Sequence, residues 1–274
     1  MKKHFWLLFL FTVLIAGCAF NNKAIRGGKI VDKYDIRECQ LPIEEVYYNN
    51  LDGSPLYAWF IKKENYQQLP TIIYLHGSRG NIMDYLTLIK NLYNSVNANL
   101  FVCDFPGTGL SKGKMSLKNT YQMTLASINY VKTIKEIRKD KIILYGVSMG
   151  DSLAFYGATK NENMFIIVES GVTSASDYMK KYFPFGLPAF IIELFGENFN
   201  NYKLVKNIKD PKLFIHGKQD GSIKFKYAQK LYNEASEPKD CLWLDGRHVL
   251  FGDKNNINEL SQKIESFIET YLPK

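Results

Sequence analysis

Scarcity narrows this chain before any pattern does. Its 274 residues include only four histidines and four cysteines, so an imidazole base has few places to sit and disulfides few to form. Internal repeats and low-complexity tracts are absent, which excludes a repeat array. Basic charge is not massed. The net charge of +8 includes Lys2 and Lys3 in the first residues, and the rest carries 33 basic and 27 acidic side chains. Its densest groups, Lys132 to Lys141 and Lys224 to Lys230, read as solvated helix faces, so nucleic-acid binding is unsupported. The apolar run from Phe5 to Ala16 is about a dozen residues, too short for a comfortable membrane span. What is present is a 46% hydrophobic composition, enough for one sizeable core and a single α/β domain.

The first residues combine Lys2 and Lys3, that apolar run, and Ile15-Ala16-Gly17-Cys18. This resembles a bacterial lipoprotein signal peptide, which implies cleavage before Cys18, a diacylglycerol on its thiol and an acyl chain on its freed amine. On this reading residues 1–17 are the signal peptide, 18–29 a polar, glycine-containing tether and 30–274 the folded domain, lipid-anchored in the cell envelope on the extracytoplasmic side. Cys103 lies in an apolar strand, leaving Cys39 and Cys241 as the pair an exporting compartment would permit.

Beyond Ile30 the chain alternates. Glu44 to Tyr48 and Leu56 to Ile61 flank a turn-rich Asn-Asn-Leu-Asp-Gly-Ser segment and predict an antiparallel hairpin. Short apolar runs follow at Thr71–Leu75, Leu100–Cys103, Lys141–Tyr145, Phe165–Val168, Lys212–Ile215 and Leu242–Leu244, separated by helical patterns. That alternation predicts an α/β fold with a mostly parallel, doubly wound sheet. Ile82, Tyr85, Leu86, Ile89 and Leu92, and again Ile257, Leu260, Ile264, Phe267 and Ile268, form stripes of helical period. The rhythm breaks across residues 173–206, where Tyr182 to Phe190 is rich in aromatics and proline. This segment reads either as a lid walling an apolar acyl pocket or as helices covering a sheet edge.

The stretch Lys141 to Asp151 carries the chemistry. A buried strand runs into Gly146-Val147-Ser148-Met149-Gly150, and a small-residue helix follows. Such a sharp turn strains the central serine and leaves no room for bulk two positions either side, which explains both glycines. A serine hydroxyl becomes a useful nucleophile only when a histidine takes its proton and a carboxylate orients that histidine. On such a strand–turn–helix unit the chain order is nucleophile, acid, histidine, so the base is His216 or His248. His248 is preferred, because it lies in a loop beyond the last strand, whereas His216 directly ends a strand. Asp220, in the loop leaving the preceding strand, fits the acid best, with Asp245 as the fallback. Backbone amides of Met149 and of Ser78, in the glycine-rich loop His76 to Asn81, are the expected donors to a developing oxyanion; a plain turn capped by Asn81 is the alternative reading of that loop.

The serine pattern occurs twice. Gly109-Leu110-Ser111-Lys112-Gly113 follows a loop and starts no helix, so it reads as a surface turn. Asp151 follows the second glycine of the Ser148 turn and is read as pointing to solvent or to a basic partner such as Arg79.

The runs Tyr74-Leu75-His76-Gly77, Asp104-Phe105-Pro106-Gly107-Thr108-Gly109, Gly146-Val147-Ser148-Met149-Gly150, His216-Gly217-Lys218-Gln219-Asp220 and Gly246-Arg247-His248 together resemble α/β-hydrolases from about Glu44 onward. Within them the chain is similar to serine aminopeptidase, monoacylglycerol lipase and acyl-protein thioesterase relatives. The resemblance implies a Ser148, Asp220 and His248 triad, Ser78 and Met149 as oxyanion donors, and action on ester, thioester or amide bonds without metal or cofactor. It implies a small-molecule or lipid acyl substrate. A serine peptidase, or an envelope lipoprotein using the fold only for binding, stands as the alternative.

The N-terminal reading has its own check: the expressed protein is expected to incorporate a palmitate analogue, and Cys18→Ala to lose it. Equal labelling of both forms, or none, overturns it.

Overall fold

The computed structural model describes residues 26–174, 177 and 199–273. The two hairpin strands, β1 (Ile43–Asn49) and β2 (Pro55–Ile61), pair antiparallel in register from Ile43 opposite Ile61 to Asn49 opposite Pro55. Then come β3 (Thr71–Leu75), β4 (Asn99–Cys103), β5 (Ile142–Val147), β6 (Phe165–Glu169), β7 (Lys212–Gly217) and β8 (Lys239–Leu244). They form one eight-stranded sheet in the order β8-β7-β6-β5-β3-β4-β2-β1. Only β2 runs against its neighbours; β3 to β8 pair in parallel. The expected α/β fold is what is found, with strand boundaries within a few residues of the apolar runs.

A parallel strand covered on both faces must be apolar on both, and every residue of β3, β4, β5 and β6 is buried. Alternation splits them into two cores. Ile73, Leu75, Ile142 and Leu144 face α2 (Leu117–Thr133) and α3 (Gly150–Thr159). Ile72, Tyr74, Ile143, Tyr145 and Val147 face α1 (Leu86–Ser95) and the terminal helix, separated by α4 (Asn201–Val205) and α5 (Phe225–Glu234) from the preceding elements and numbered α6 (Ile257–Tyr271). The expected stripes are the buried ones: Ile89 and Leu92 on α1, and Leu260, Ile264 and Phe267 on α6. No helix among the described residues is long and apolar enough to cross a membrane.

The chain meets the domain earlier than Ile30. Arg26–Gly27 pair in parallel with Arg79–Gly80, and the Gly28 N–H donates to the Gly80 carbonyl at 2.8 Å. Of the 173–206 segment read as a lid, residues 175–198 apart from Asp177, which include its aromatic stretch, lie outside the described residues. Cys39, Cys103 and Cys241 are all free thiols. Cys39 is instead packed 3.8 Å from the Met83 sulfur.

Since Phe267 is 1% exposed in the α6 stripe, Phe267→Ala is expected to cost about 3–5 kcal/mol in denaturant unfolding. Glu269→Ala, on the exposed face, should stay within about 0.5 kcal/mol.

Candidate active site

β5 ends at Val147 and the next residue turns sharply: Ser148 has φ +55°. A left-handed backbone costs a non-glycine residue about 1–2 kcal/mol, so surrounding bonds must hold it. The Ser148 N–H donates to the Glu169 carbonyl at 2.9 Å, and the Ser148 carbonyl accepts from Asp151 at 3.3 Å and Val172 at 3.4 Å. The flanking glycines are there for clearance. A Cβ at Gly146 would lie 2.4 Å from the Gly150 carbonyl oxygen, and one at Gly150 only 1.9 Å from that of Leu75.

Asp220 and His248 are brought together directly. The β7 loop folds back so that the Asp220 N–H donates to Gly217 at 3.0 Å, and Asp220 Oδ1 accepts from Ser222 and Ile223 N–H at 2.7 and 2.9 Å. Oδ2 lies 2.7 Å from His248 Nδ1. A carboxylate only accepts, so Nδ1 carries the proton and Nε2 is left as the basic nitrogen. Burial alone would raise the Asp220 pKa, but the hydrogen bond and charge of His248, with the Ile223 N–H, outweigh it and hold the acid below its ordinary value. The β7 and β8 loops are laced together: Lys218 donates to Leu244 at 2.8 Å and Gln219 to Gly246 at 3.0 Å. The fallback acid, Asp245, is exposed and pairs with Lys218 at 3.6 Å. His216 is fully buried. Its Nε2 donates to the Ile223 carbonyl at 2.9 Å and stands 3.4 Å from Asp220 Oδ2, so it backs the acid rather than serving as base.

In the loop after β3, Asn81 does cap the following turn. Its side chain accepts from Met83 at 3.1 Å while Asp84 accepts from the Asn81 N–H at 2.8 Å. The cap and the proposed donor role coexist, because among the described residues neither the Ser78 nor the Met149 N–H donates to a backbone carbonyl. The His76 ring is stacked between Phe105, with centroids 3.8 Å apart, and Tyr85, at 4.8 Å, and burial pushes its pKa down to about 4. Neutral His76 thus serves as a wall. Asp104 locks this loop to the next. Fully buried, it accepts from the N–H of Ile82 and Leu110, each at 2.9 Å, and from the Tyr34 hydroxyl at 2.8 Å.

Two expectations fail. Ser111 is not on the surface: it is 0% exposed, donates to the Asp104 carbonyl at 2.8 Å and accepts from the Tyr57 N–H at 2.9 Å. Its hydroxyl is consumed in joining loop to strand. Asp151 faces neither solvent nor Arg79. It is wholly buried, accepting from Asn201 Nδ2 at 3.2 Å and Ser152 Oγ at 3.3 Å, and burial drives its pKa well upward. Tyr85 was legible only as a core residue, yet one point beside the Gly77 backbone is 2.8 Å from its hydroxyl and 3.6 Å from Ser148 Cβ. A cleft of about 470 Å³ opens beside His248, lined by Leu88, Gln219, Arg247 and Val249 among others. Among the described residues no group of three or more His, Cys, Asp or Glu is placed to hold a metal ion.

Residues 71–263, spanning β3 to the first half of α6, match the family described as Chlamydia CHLPS protein (DUF818). The chain belongs to that family. This CHLPS-family chain is 29% identical to the uncharacterized protein YfhR of Escherichia coli K12 over 84% of its own length and 82% of YfhR. It is 28% identical to human alpha/beta hydrolase domain-containing protein 17B over 64% of its length and 59% of the human protein. Among solved structures it is similar to the Pyrococcus furiosus esterase Pf2001, with a TM-score of 0.72 at 20% identity, covering 91% of this chain and 99% of the other. An acetyl xylan esterase from Paenibacillus sp. R4 gives 0.65 at 17% identity over 94% and 93%. The CHLPS-family chain therefore has the α/β-hydrolase fold.

The turn geometry makes a sharp forecast. Gly150→Ala is expected to yield little soluble, cooperatively folded protein, because its Cβ would overlap the Leu75 carbonyl. Gly221→Ala, with nothing within 4 Å of the added carbon, should unfold within about 0.5 kcal/mol of wild type.

Proposed function

We propose that the protein is a serine hydrolase that cleaves a carboxylic ester or thioester through an acyl-enzyme. Ser148 Oγ attacks the acyl carbonyl as His248 Nε2 takes its proton; the tetrahedral oxyanion is received by the Met149 and Ser78 amides; the proton passes to the leaving alcohol or thiol. Water then repeats the sequence on the acyl-enzyme and frees the acid. The observation that carries this reading is the 2.7 Å bond from His248 Nδ1–H to an Asp220 carboxylate itself held by two amides, on the same carboxyl edge of the parallel strands as a serine kept in a left-handed turn. A carboxylate so fixed has one evident use, to select the tautomer that leaves Nε2 basic and to stabilise the imidazolium. The esterase names of the structural neighbours agree with an ester substrate.

We further propose lipid anchorage at Cys18. Arg26 and Gly27 pair with the loop that leaves the carboxyl end of β3, which is the edge bearing Ser148. Seven residues lie between Cys18 and Arg26, so the two are at most about 28 Å apart. An anchor there would hold the reactive edge near the membrane, which favours acyl groups carried by lipids or by membrane-bound molecules.

A fluorophosphonate probe is expected to label the wild-type protein and not Ser148→Ala, while Ser111→Ala keeps labelling despite reduced stability. Asp220→Asn should lower kcat on p-nitrophenyl esters about 10³–10⁴-fold, and Asp245→Asn less than threefold or so. Folded wild-type protein that never labels would favour a binding role. Faster turnover of aminoacyl-anilides than of esters would make it a peptidase.

A further inference from the structure

β6 ends in Glu169, a residue that neither motif nor triad employs. Its main chain is already committed, since its carbonyl receives the Ser148 N–H at 2.9 Å. Its side chain, 1% exposed, reaches the other half of the site. Oε1 accepts from the N–H of Leu250 and, at 3.4 Å, of Phe251, and Oε2 accepts from the Tyr145 hydroxyl at 2.7 Å. Three acceptances suit an ionised carboxylate. Burial raises the Glu169 pKa, and the bonds from Tyr145, Leu250 and Phe251 oppose that rise.

Those two amides open the 3₁₀ turn Leu250–Gly252, immediately after His248-Val249. Val249 itself has φ +63°, an outlying conformation for a β-branched residue. Its N–H donates to Ser170 Oγ at 3.3 Å. Three successive amides behind His248 are thus gripped by Glu169-Ser170, the same pair whose first member holds Ser148.

We propose that Glu169 is a positioning residue of the reaction: its carbonyl fixes Ser148, its carboxylate fixes the strained turn that carries His248, and its charge supports the imidazolium formed when His248 takes the serine proton. The proposal rests on the hydrolase reading above. Glu169 acts through His248, and the oriented carboxylate remains Asp220. The charged and titratable groups facing His248 are Asp220 and His216 from the β7 end and Glu169 from β6. Those facing Glu169, besides His248, are Tyr145 and Tyr74, both phenols kept protonated by burial and by the Glu169 charge.

The experiment measures kcat and KM for p-nitrophenyl acetate across pH in wild type, Glu169→Gln and Glu169→Ala, with fluorophosphonate labelling as a control. Glutamine keeps an acceptor for Leu250 and Phe251 but removes the charge that favours protonated His248. The acid limb of kcat/KM is therefore expected to move to lower pH by about half a unit or more, and the plateau kcat to fall about tenfold, with KM within about twofold. Glu169→Ala, losing the grip as well, should fall about 100-fold. Should the glutamine variant fail to fold, Tyr145→Phe removes only the donor that partly neutralises Oε2, and its acid limb is expected to move to higher pH. A Glu169→Gln profile coincident with wild type, or in its absence a coincident Tyr145→Phe profile, overturns the proposal. Wild type that does not label at Ser148 overturns the hydrolase reading and this inference with it; labelled wild type with a silent Glu169 overturns this inference alone.

Discussion

A single left-handed residue sets the terms for the rest of the molecule. An L-amino acid stays at φ +55° only if its neighbours leave it nowhere else to go, and here they do so by proximity. The backbones of Gly146 and Gly150 pass within a distance that no Cβ could occupy, and α3 is pressed against the end of β3 at Leu75. The adjacent strand supplies the bond that holds the Ser148 N–H. Strain at one residue is thereby met by close packing across β3, β5, β6 and α3. The serine side chain is projected from a rigid base rather than from a flexible loop.

The remaining side chains of the site reach it by a different physical route. Asp220 and His248 lie on irregular segments, and such segments are precise only when their backbone polar groups are satisfied. Here they satisfy one another: the β7 and β8 loops exchange amides and carbonyls, and Asp220 is seated by two amides of its own loop before it meets His248. The loops near Ser78 are joined by Asp104, a carboxylate whose pKa burial lifts to about 6 and whose three donors come from widely separated stretches of chain. Backbone amides and buried carboxylates, more than hydrophobic contacts, give this edge of the sheet its shape.

The sheet was legible in the sequence because strands covered on both faces must be apolar on both, so Thr71–Leu75 and Ile142–Val147 stand out against polar surroundings. The Asp220 and His248 pairing was legible because each follows its own strand on the same edge. Ser111 and Asp151 were misread for a common reason. One partner of each is remote: Tyr57 lies 54 residues from Ser111 and Asn201 lies 50 from Asp151, so the sequence around them does not mark a buried, satisfied polar group. Glu169 was hidden differently. As the last residue of an apolar strand it looks like the start of a loop, and its value comes from amides 81 and 82 positions away.

The stretches of chain on either side of residues 175–198 are drawn into a closed neck. Ser174 bridges to Asn200, the Asn201 N–H donates to the Thr173 carbonyl at 2.9 Å, and the Asn201 side chain is bonded to Asp151, three residues after Ser148. Because the two ends are already joined, the entropy of closing whatever lies between them grows only slowly with its length. A change of length between those ends therefore need not disturb the bonds of the neck itself.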